Sequence, residues 1–230
     1  MDIRVVACDI FGTTVDWYSG VADQVAPLLP EVDAGDFALR WRDRYLPSMN
    51  RVRSGEREWV YLDTLHRESL DDLLREVGVE ADEATRDRLV RAWHLLPAWP
   101  DSVAGLDRLR ARHTVAALSN GGFALLTRLV KNANLPFDCV LSAELARTYK
   151  PDAAVYRTAA ALLDVAPDQV LMVAAHKWDL VGARAAGLRT AFVDRPEEKG
   201  PNRQADRAAD VECDLYARSF LDLATQLDSP

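Results

Sequence analysis

The sequence predicts an α/β fold, and three patterns in it carry this prediction. Short apolar runs, typical of strands that are buried on both faces, occur at residues 3–8 and recur after residue 113. Helical stretches separate the later runs, and such alternation is typical of a parallel sheet with helices on both faces. Between them the pattern is helical only. We therefore predict a Rossmann-like parallel-sheet core, residues 1–15 and 97–230, with an inserted helical cap at residues 16–96 that can close over a site.

Length and composition fit a globular core with one smaller insert. The chain has 230 residues, about half of them hydrophobic, and a formal net charge of −8. That charge argues against nucleic acid or an anionic membrane surface as a partner. No apolar run is long enough to cross a bilayer, and the chain begins directly with a predicted strand, so we expect no signal peptide and a cytoplasmic location. Cys8, Cys139 and Cys213 are odd in number and lack metal-ligand spacing, so we expect reduced thiols.

The first predicted strand ends at Asp9, and the chain then turns. Ligands of open parallel sheets bind at the carboxyl ends of the strands, so Asp9 is predicted to lie at the mouth of a crevice. Gly12 permits the turn, and Thr13 or Thr14 can hydrogen-bond to whatever the Asp9 carboxylate holds. The alternative is an aspartate that only caps the turn, and this motif alone does not decide between the two.

The cap is predicted to be built from helices whose apolar residues recur at helical spacing. The first lies around Val21 to Leu29, and the others at Phe37–Tyr45, Trp59–Val77 and Asp82–Leu96. Gly78 is a good residue to end the third helix, and Pro97 and Pro100 break the pattern after the fourth. Four large aromatic residues of the chain are predicted to serve in packing: Trp17, Tyr18, Trp59 and Trp178.

The core is predicted to alternate four further strands with three helices. The strands are Thr114–Leu118, Asp138–Ser142, Gln169–Ala175 and Arg189–Val193; the helices are Gly122–Ala133, Ala153–Leu163 and Asp179–Ala186. The polar segment Arg195–Asp210 is predicted to be a surface loop. Ser219 and Asp222 resemble a capping box that opens a final helix.

Three of the later strand ends carry polar residues, and four polar strand ends can converge on one pocket. The ordered set Asp-x-x-Gly-Thr, Ser-Asn, Lys-Pro and a strand ending near Asp resembles the haloacid dehalogenase superfamily over nearly the whole chain. Within that superfamily the chain is most similar to the type II L-2-haloacid dehalogenases. The residues that carry this resemblance are Asp9, Phe11, Gly12 and Thr13; Trp41 and Arg42; Ser119, Asn120 and Gly121; Lys150 and Pro151; and Trp178 and Asp179.

Most members of this superfamily are phosphatases, and two departures argue against that activity here. Phosphatases use a second aspartate, two residues after the nucleophile, to protonate an alkoxide; this chain has Phe11 there, and a phenyl ring delivers no proton. In the later loop only Asp179 is acidic, and Lys177 beside it would repel a cation. Halide, in contrast, leaves without being protonated. We therefore expect neither a metal nor another cofactor.

The resemblance implies an ester mechanism with four catalytic residues. Asp9 is the nucleophile that attacks the carbon bearing the halogen, and Thr13 supports it. Lys150 keeps Asp9 ionised, unless it is an ordinary surface lysine at a helix start. Asp179 orients or deprotonates the water that hydrolyses the ester, although it can also cap the helix that follows.

Seven further residues are predicted to bind the substrate, and five of them have a simpler alternative. Arg42 would bind the halogen or the substrate carboxylate, but Arg40 and Arg44 flank it on the same helix. Ser119 and Asn120 would supply hydrogen-bond donors or form a turn. The others are Ile10 and Phe11, which line an apolar wall with backbone N–H groups facing the substrate; Tyr156, a supporting or a packing tyrosine; and His176, a donor or a neutral histidine satisfied within its loop.

Ala174 and His176 depart from the type II family, which tends to have serine and asparagine at these positions. We expect a tighter, differently bonded pocket that favours small 2-haloalkanoic acids, fluoroacetate among them. Three other functions stay open: hydrolysis of another small electrophilic acid, such as a strained ring amino acid, by the same route; a phosphatase with an unusual acid; and a binding protein without turnover. Similar proteins commonly form homodimers, which leaves a homodimer open as the assembly, but the sequence shows no interface.

Overall fold

The computed structural model of the chain describes residues 1–228 and confirms the predicted α/β class. Its six strands form one parallel sheet: β1 Val5–Cys8, β2 Thr114–Ser119, β3 Cys139–Ser142, β4 Val170–Ala174, β5 Arg189–Val193 and β6 Leu215–Ala217. The residues of β1 and β4 are buried throughout, because helices cover both faces of the sheet. These strands consequently consist almost entirely of apolar residues.

The strand order, β3-β2-β1-β4-β5-β6, places the first strand in the middle of the sheet. Cys8 at the end of β1 pairs with Ala117 of β2 on one side and with Val173 of β4 on the other. The chain therefore adds β2 and β3 on one side of β1, and then crosses to the other side of β1 to add β4, β5 and β6. A crevice opens at the carboxyl ends of the strands where such a reversal occurs, and Asp9 lies there.

Five helices occupy the segment between β1 and the rest of the core: α1 Trp17–Leu28, α2 Ala34–Asp43, α3 Tyr45–Arg53, α4 Leu62–Val77 and α5 Glu83–Ala92. Aspartates begin three of them, because Asp16, Asp33 and Asp82 each accept a hydrogen bond from a backbone N–H of the first turn. Gly78 ends α4 in a left-handed conformation, as predicted. The limits of the cap at residues 16 and 96 stay a prediction.

The remaining helices flank the sheet: α6 Ser102–Arg110, α7 Phe123–Asn132, α8 Ala153–Leu162, α9 Lys177–Ala185 and α10 Phe220–Asp228. The predicted N-terminus of α10 is confirmed, since the Ser219 hydroxyl accepts a hydrogen bond from the Asp222 N–H at 3.1 Å. The Asp222 carboxylate reaches the N–H of Arg218 and not that of Ser219, so the capping box is shifted by one residue.

Several predicted elements differ from the structure. Residues 59–61 precede α4 without being helical, α3 and α6 were not predicted, and the three-residue strand β6 was missed. The segment Arg195–Asp210 was wrongly predicted to lie wholly on the surface, because Arg195 and Glu198 are buried. Arg195 forms an ion pair with Asp101, and Glu198 forms one with His176, and hydropathy alone does not reveal such pairs.

Among residues 1–228, none of the helices is both long enough and apolar enough to cross a membrane. The three cysteines carry no disulfide; Cys8 is buried and the other two are half-buried.

Candidate active site

The Asp9 carboxylate lies at the end of β1 and is held from three sides. Its Oδ1 accepts a hydrogen bond from Lys150 Nζ at 2.8 Å, and its Oδ2 accepts one from Thr13 Oγ1 at 2.9 Å. The ring Nδ1 of His176 lies 3.2 Å from the same Oδ2. Asp9 bonds to side chains from distant parts of the chain, so the alternative of a simple turn cap is wrong.

Lys150 is 1 % exposed, which excludes the surface lysine considered above. Its Nζ also donates to Asp179 Oδ2 at 2.6 Å and to the carbonyl of Leu118 at 2.9 Å. Burial alone would lower the pKa of Lys150, but the carboxylates of Asp179 and Asp9 outweigh it and hold that pKa above its usual value. Lys150 is therefore a buried ammonium shared between two carboxylates.

Asp179 is fully buried within α9. Its second oxygen, Oδ1, accepts a hydrogen bond from Tyr156 Oη at 2.7 Å. Both oxygens are thus engaged by side chains, and no capping bond forms, so the capping alternative is wrong. Tyr156 is itself fully buried. It was predicted to contact the substrate, but its hydroxyl contacts Asp179. Burial is the first reason why the pKa of Asp179 is raised.

The Ser-Asn pair at the end of β2 bonds to Lys150 and to its own turn, and contacts neither Asp9 carboxylate oxygen. Asn120 Oδ1 accepts a hydrogen bond from the Lys150 N–H at 2.7 Å, and Ser119 Oγ accepts one from the Gly121 N–H at 3.3 Å. Asn120 therefore fixes the backbone from which the Lys150 side chain reaches Asp9. Its predicted role as a donor to the substrate stays a prediction.

His176 lies between two carboxylates. Its Nε2 is 2.8 Å from Oε1 of Glu198, and the same oxygen accepts a hydrogen bond from Trp17 Nε1 at 2.7 Å. Trp178 stacks on the His176 ring, with ring centroids 5.7 Å apart. The position of His176 thus combines the predicted donor role towards Asp9 with a partner, Glu198, that was not predicted.

The charges of this network reinforce one another. Burial alone would lower the pKa of His176, but Glu198 and Asp9 outweigh it and raise that pKa to about 10. Burial opposes ionisation of both carboxylates as well, yet Lys150 and His176 hold the pKa of Asp9 well below its usual value, and His176 lowers that of Glu198 to about 2. At neutral pH His176 is therefore an imidazolium, and it is not the neutral histidine of the second alternative.

A cavity of about 270 Å³ opens between the cap and this network. Its walls include Arg42, Tyr45 and Trp17 from the cap side, and His176 and Glu198 from the core side. A cavity of this size suits a small molecule rather than a polymer.

Arg42 is the arginine of α2 that faces the cavity. Its guanidinium lies 4.0 Å from the ring centre of Tyr45, and within residues 1–228 its buried Nη1 has no hydrogen-bond partner. Arg40 and Arg44 instead form ion pairs with Glu76 on the outside of the cap. Of the three arginines, Arg42 alone lines the cavity, and its contact with an anionic ligand stays a prediction.

The predicted wall residues differ from those observed. Ile10 and Phe11 are buried in the core, where Phe11 packs edge-on against Trp93, and neither side chain lines the cavity. Trp17 and Trp178 were assigned to packing, yet both line it. The contact of the Ile10 and Phe11 backbone N–H groups with a substrate stays a prediction.

Glu198 is the site residue that the sequence reasoning missed. It follows β5 by five residues, in the polar run Arg195-Pro196-Glu197-Glu198. The strand-end rule that selected Asp9, Ser119 and Asp179 applies to β5 as well. Two adjacent glutamates stand in this run, however, and only the fold shows which one is buried.

The residues of this site offer no cluster for a metal ion. Within residues 1–228, no group of three or more His, Cys, Asp or Glu side chains has an arrangement that could hold one. Where the superfamily phosphatases have their second aspartate, the side chain of Phe11 supplies no oxygen ligand.

Comparison with known proteins gives the same family as the residues. The sequence model of the haloacid dehalogenase-like hydrolases matches residues 3–187. The chain is 33% identical over 199 residues to (S)-2-haloacid dehalogenase 4A of Burkholderia cepacia, which covers 84% of each protein. The chain therefore belongs to the haloacid dehalogenase-like hydrolase family, and the resemblance stated above is confirmed.

Two solved structures extend this comparison over almost the whole chain. The defluorinating L-2-haloacid dehalogenase Rha0230 is 46% identical, with a TM-score of 0.95, and the match covers 99% of this chain and 96% of that one. The L-2-haloacid dehalogenase of Xanthobacter autotrophicus with chloropropionic acid covalently bound is 27% identical, with a TM-score of 0.86 and 99% of each chain covered.

Proposed function

We propose that this chain is a hydrolytic dehalogenase of small 2-haloalkanoic acids that works through an ester on Asp9. The observation that carries the proposal is the Asp9 carboxylate, kept ionised by Lys150 and by His176, which together with Arg42 lines a small cavity. A nucleophile, a cation for the substrate carboxylate and apolar walls are what such a reaction requires. Relatives named as (S)-2-haloacid dehalogenases support the same activity.

In the first half-reaction an oxygen of Asp9 attacks the carbon that bears the halogen, from the side opposite the halogen. The carbon–halogen bond breaks, its electron pair leaves with the halide, and an ester to Asp9 forms with inversion at carbon. Arg42 binds the substrate carboxylate, the departing halide or both, and it offsets the repulsion between two anions. The covalent chloropropionic acid complex of the Xanthobacter relative supports this route.

In the second half-reaction water cleaves the ester and releases a 2-hydroxy acid. Lys150 holds Asp9, and Asp179 with Tyr156 holds Lys150 in turn. Thr13 links the nucleophile to the loop after β4, because its hydroxyl donates to Asp9 and accepts from the Ala175 N–H at 2.9 Å. These contacts keep the carboxyl group in one orientation throughout the cycle.

The test is halide release from chloro-, bromo- and fluoroacetate and from both enantiomers of 2-chloropropionate, in the presence of EDTA. We expect halide from the parent and none from Asp9→Asn, whose amide is no nucleophile. Release of phosphate from p-nitrophenyl phosphate with Mg²⁺, together with no halide release from any haloacid, would support a phosphatase and overturn the proposal. Binding of haloacids without product would support a protein that only binds.

Fluoroacetate is proposed as a substrate because His176 replaces the asparagine of the type II family and the relative Rha0230 is defluorinating. A cationic donor beside Asp9 stabilises charge in a small site, and fluoride, the poorest leaving halide, gains most from hydrogen bonding. We expect His176→Ala to lose more activity on fluoroacetate than on bromoacetate. Turnover equal to the parent on every haloacid would contradict this expectation.

A cytoplasmic location and a homodimer complete the proposal. The free cysteines support a reducing compartment. The mass of the protein in solution, measured by light scattering after gel filtration, tests the dimer.

A further inference from the structure

Glu198 lies in the site but has no role in the ester mechanism proposed above. It is 1 % exposed, one of its oxygens joins Trp17 to His176, and it lines the cavity. Its other oxygen, Oε2, is buried without a hydrogen-bond partner in the part of the chain that the structure describes. A buried carboxylate with a free oxygen at a cavity wall is costly to maintain, so its position calls for a function.

The chain is built to bring Glu198 against the nucleophile loop. A Cβ atom at Gly12 would come within 2.4 Å of Glu198 Oε1, so only glycine leaves room for this approach. Arg195 anchors the segment from the other side, since it donates to the Thr13 carbonyl at 2.8 Å and forms a two-pronged ion pair with Asp101. Glu198 therefore has a fixed position relative to Asp9.

Asp179 is less well placed to meet water from the cavity. Its two oxygens accept hydrogen bonds from Lys150 and Tyr156, it is fully buried, and it does not line the cavity. His176 does line the cavity, and its Nδ1 faces the Asp9 carboxyl group at 3.2 Å. Of these two side chains, His176 is the one that a water molecule entering from the cavity reaches first.

We propose that His176, oriented by Glu198, takes the proton of the water that hydrolyses the Asp9 ester. This inference rests on the proposed function. In the free enzyme each ring nitrogen faces a carboxylate, and the Nδ1–H donates to Asp9. Formation of the ester removes the charge of Asp9 and leaves Glu198 as the only carboxylate bonded to the ring. The Nδ1 proton then passes to solvent, and Nδ1 becomes a base that faces the ester.

The atoms and charges of this step balance. The oxygen of water bonds to the carboxyl carbon of Asp9 while one of its protons passes to His176 Nδ1. The adduct then breaks the bond between that carbon and the alkyl oxygen, and the leaving 2-hydroxy acid takes the second proton of the water. Asp9 is again a carboxylate beside an imidazolium. One proton reached solvent and one halide left, as the overall hydrolysis requires.

The test separates the two half-reactions in a single turnover of chloroacetate with enzyme in excess. Halide reports ester formation, glycolate reports hydrolysis, and the intact mass of the quenched protein reports the ester. For Glu198→Gln we expect halide at close to the parent rate, glycolate slowed by about 10²-fold or more, the usual contribution of a general base, and accumulation of the ester. Glu197→Gln, an exposed neighbour with the same change, is the matched control and should behave as the parent.

Two results would overturn the inference: hydrolysis of the ester by Glu198→Gln at the parent rate, or equal slowing of halide and glycolate, which indicates structural support only. Glu198→Asp, which keeps the carboxylate, should recover part of the hydrolysis rate. If Glu198→Gln does not fold, the rates of halide and glycolate formation are compared instead in Trp17→Phe, which removes the hydrogen bond to Glu198. Failure of the proposed function gives a different result, because the parent itself would then release no halide and form no ester.

Discussion

At the scale of single residues, the hydrogen-bond partners of Lys150 determine what this buried charge can act on. An ammonium group has three N–H bonds, and those of Lys150 point to Asp9, Asp179 and the Leu118 carbonyl. No hydrogen is left for a substrate. Lys150 therefore acts on the substrate only through Asp9, and Arg42, whose Nη1 is free of any partner among residues 1–228, is left to bind the anion.

This division of tasks predicts the effect of Arg42→Gln. Removal of the cation should raise KM for haloacids and lower kcat/KM roughly 10- to 100-fold, since hydrogen bonds to charged groups contribute about 1.5–3 kcal/mol. Steady-state halide release measures the effect. The matched control is Arg40→Gln, on the same helix but paired with Glu76 away from the cavity, and it should leave both constants unchanged. Equal losses in the two variants would show that Arg42 has no special contact.

At the scale of elements, the loop after β1 and the segment after β5 depend on each other. Gly12 has a φ of +87° and lies where a side chain would collide with Glu198. The dependence is mutual, because Arg195 of the later segment bonds the Thr13 carbonyl of the earlier loop. The glycine of the first motif was predicted from its turn, but its second reason, the carboxylate against it, becomes visible only in the fold.

Gly12→Ala should therefore destabilise the protein for two reasons. A positive φ costs a residue with a Cβ atom about 1–2 kcal/mol, and overpacking adds about 1–3 kcal/mol. Gly55→Ala is the control, because Gly55 has a similar φ of +79° with nothing within 4 Å of the added Cβ. Urea unfolding of both variants gives the comparison. If the two lost the same free energy of unfolding, the close contact with Glu198 would be refuted.

At the scale of the whole molecule, the sequence predicted the elements that have a periodic apolar pattern. It missed features that lack such a pattern or that depend on contacts between distant residues. Five of the six strands and most helices follow from apolar periodicity, and the strand-end rule found Asp9 and Asp179. Strand β6 has only three residues, too few to show a period. The sequence does not distinguish Glu198 from Glu197 after β5, because the burial of Glu198 depends on Trp17 and His176, which lie on other elements.

The network also predicts how stability depends on pH. The pKa of His176 is about 10 in the fold against 6.5 as the ordinary value, so its contribution is complete below pH 6.5 and is lost as pH rises to 10. The pKa of Glu198 is about 2 against 4.5, so its contribution is complete above pH 4.5 and is lost as pH falls to 2. The other charged groups that act on this pair are Asp9 and Arg42.

The difference in unfolding midpoint between the parent and Glu198→Gln should therefore be largest between pH 4.5 and 6.5 and shrink towards pH 10. Thermal unfolding followed by circular dichroism across this range measures it, with Glu197→Gln as the control. A difference that stayed constant from pH 6.5 to 10 would argue against the charged pair.

The buried charge network and Arg42 are electroneutral as a set, with three carboxylates and three cations: Asp9, Asp179 and Glu198 against Lys150, His176 and Arg42. An incoming haloacid adds one negative charge, which a buried site tolerates poorly. When Asp9 becomes the ester, the halide carries one negative charge, so the site keeps its excess negative charge until the halide departs. Departure of the halide restores neutrality, so the electrostatics of the empty site favour expulsion of the first product before water attacks.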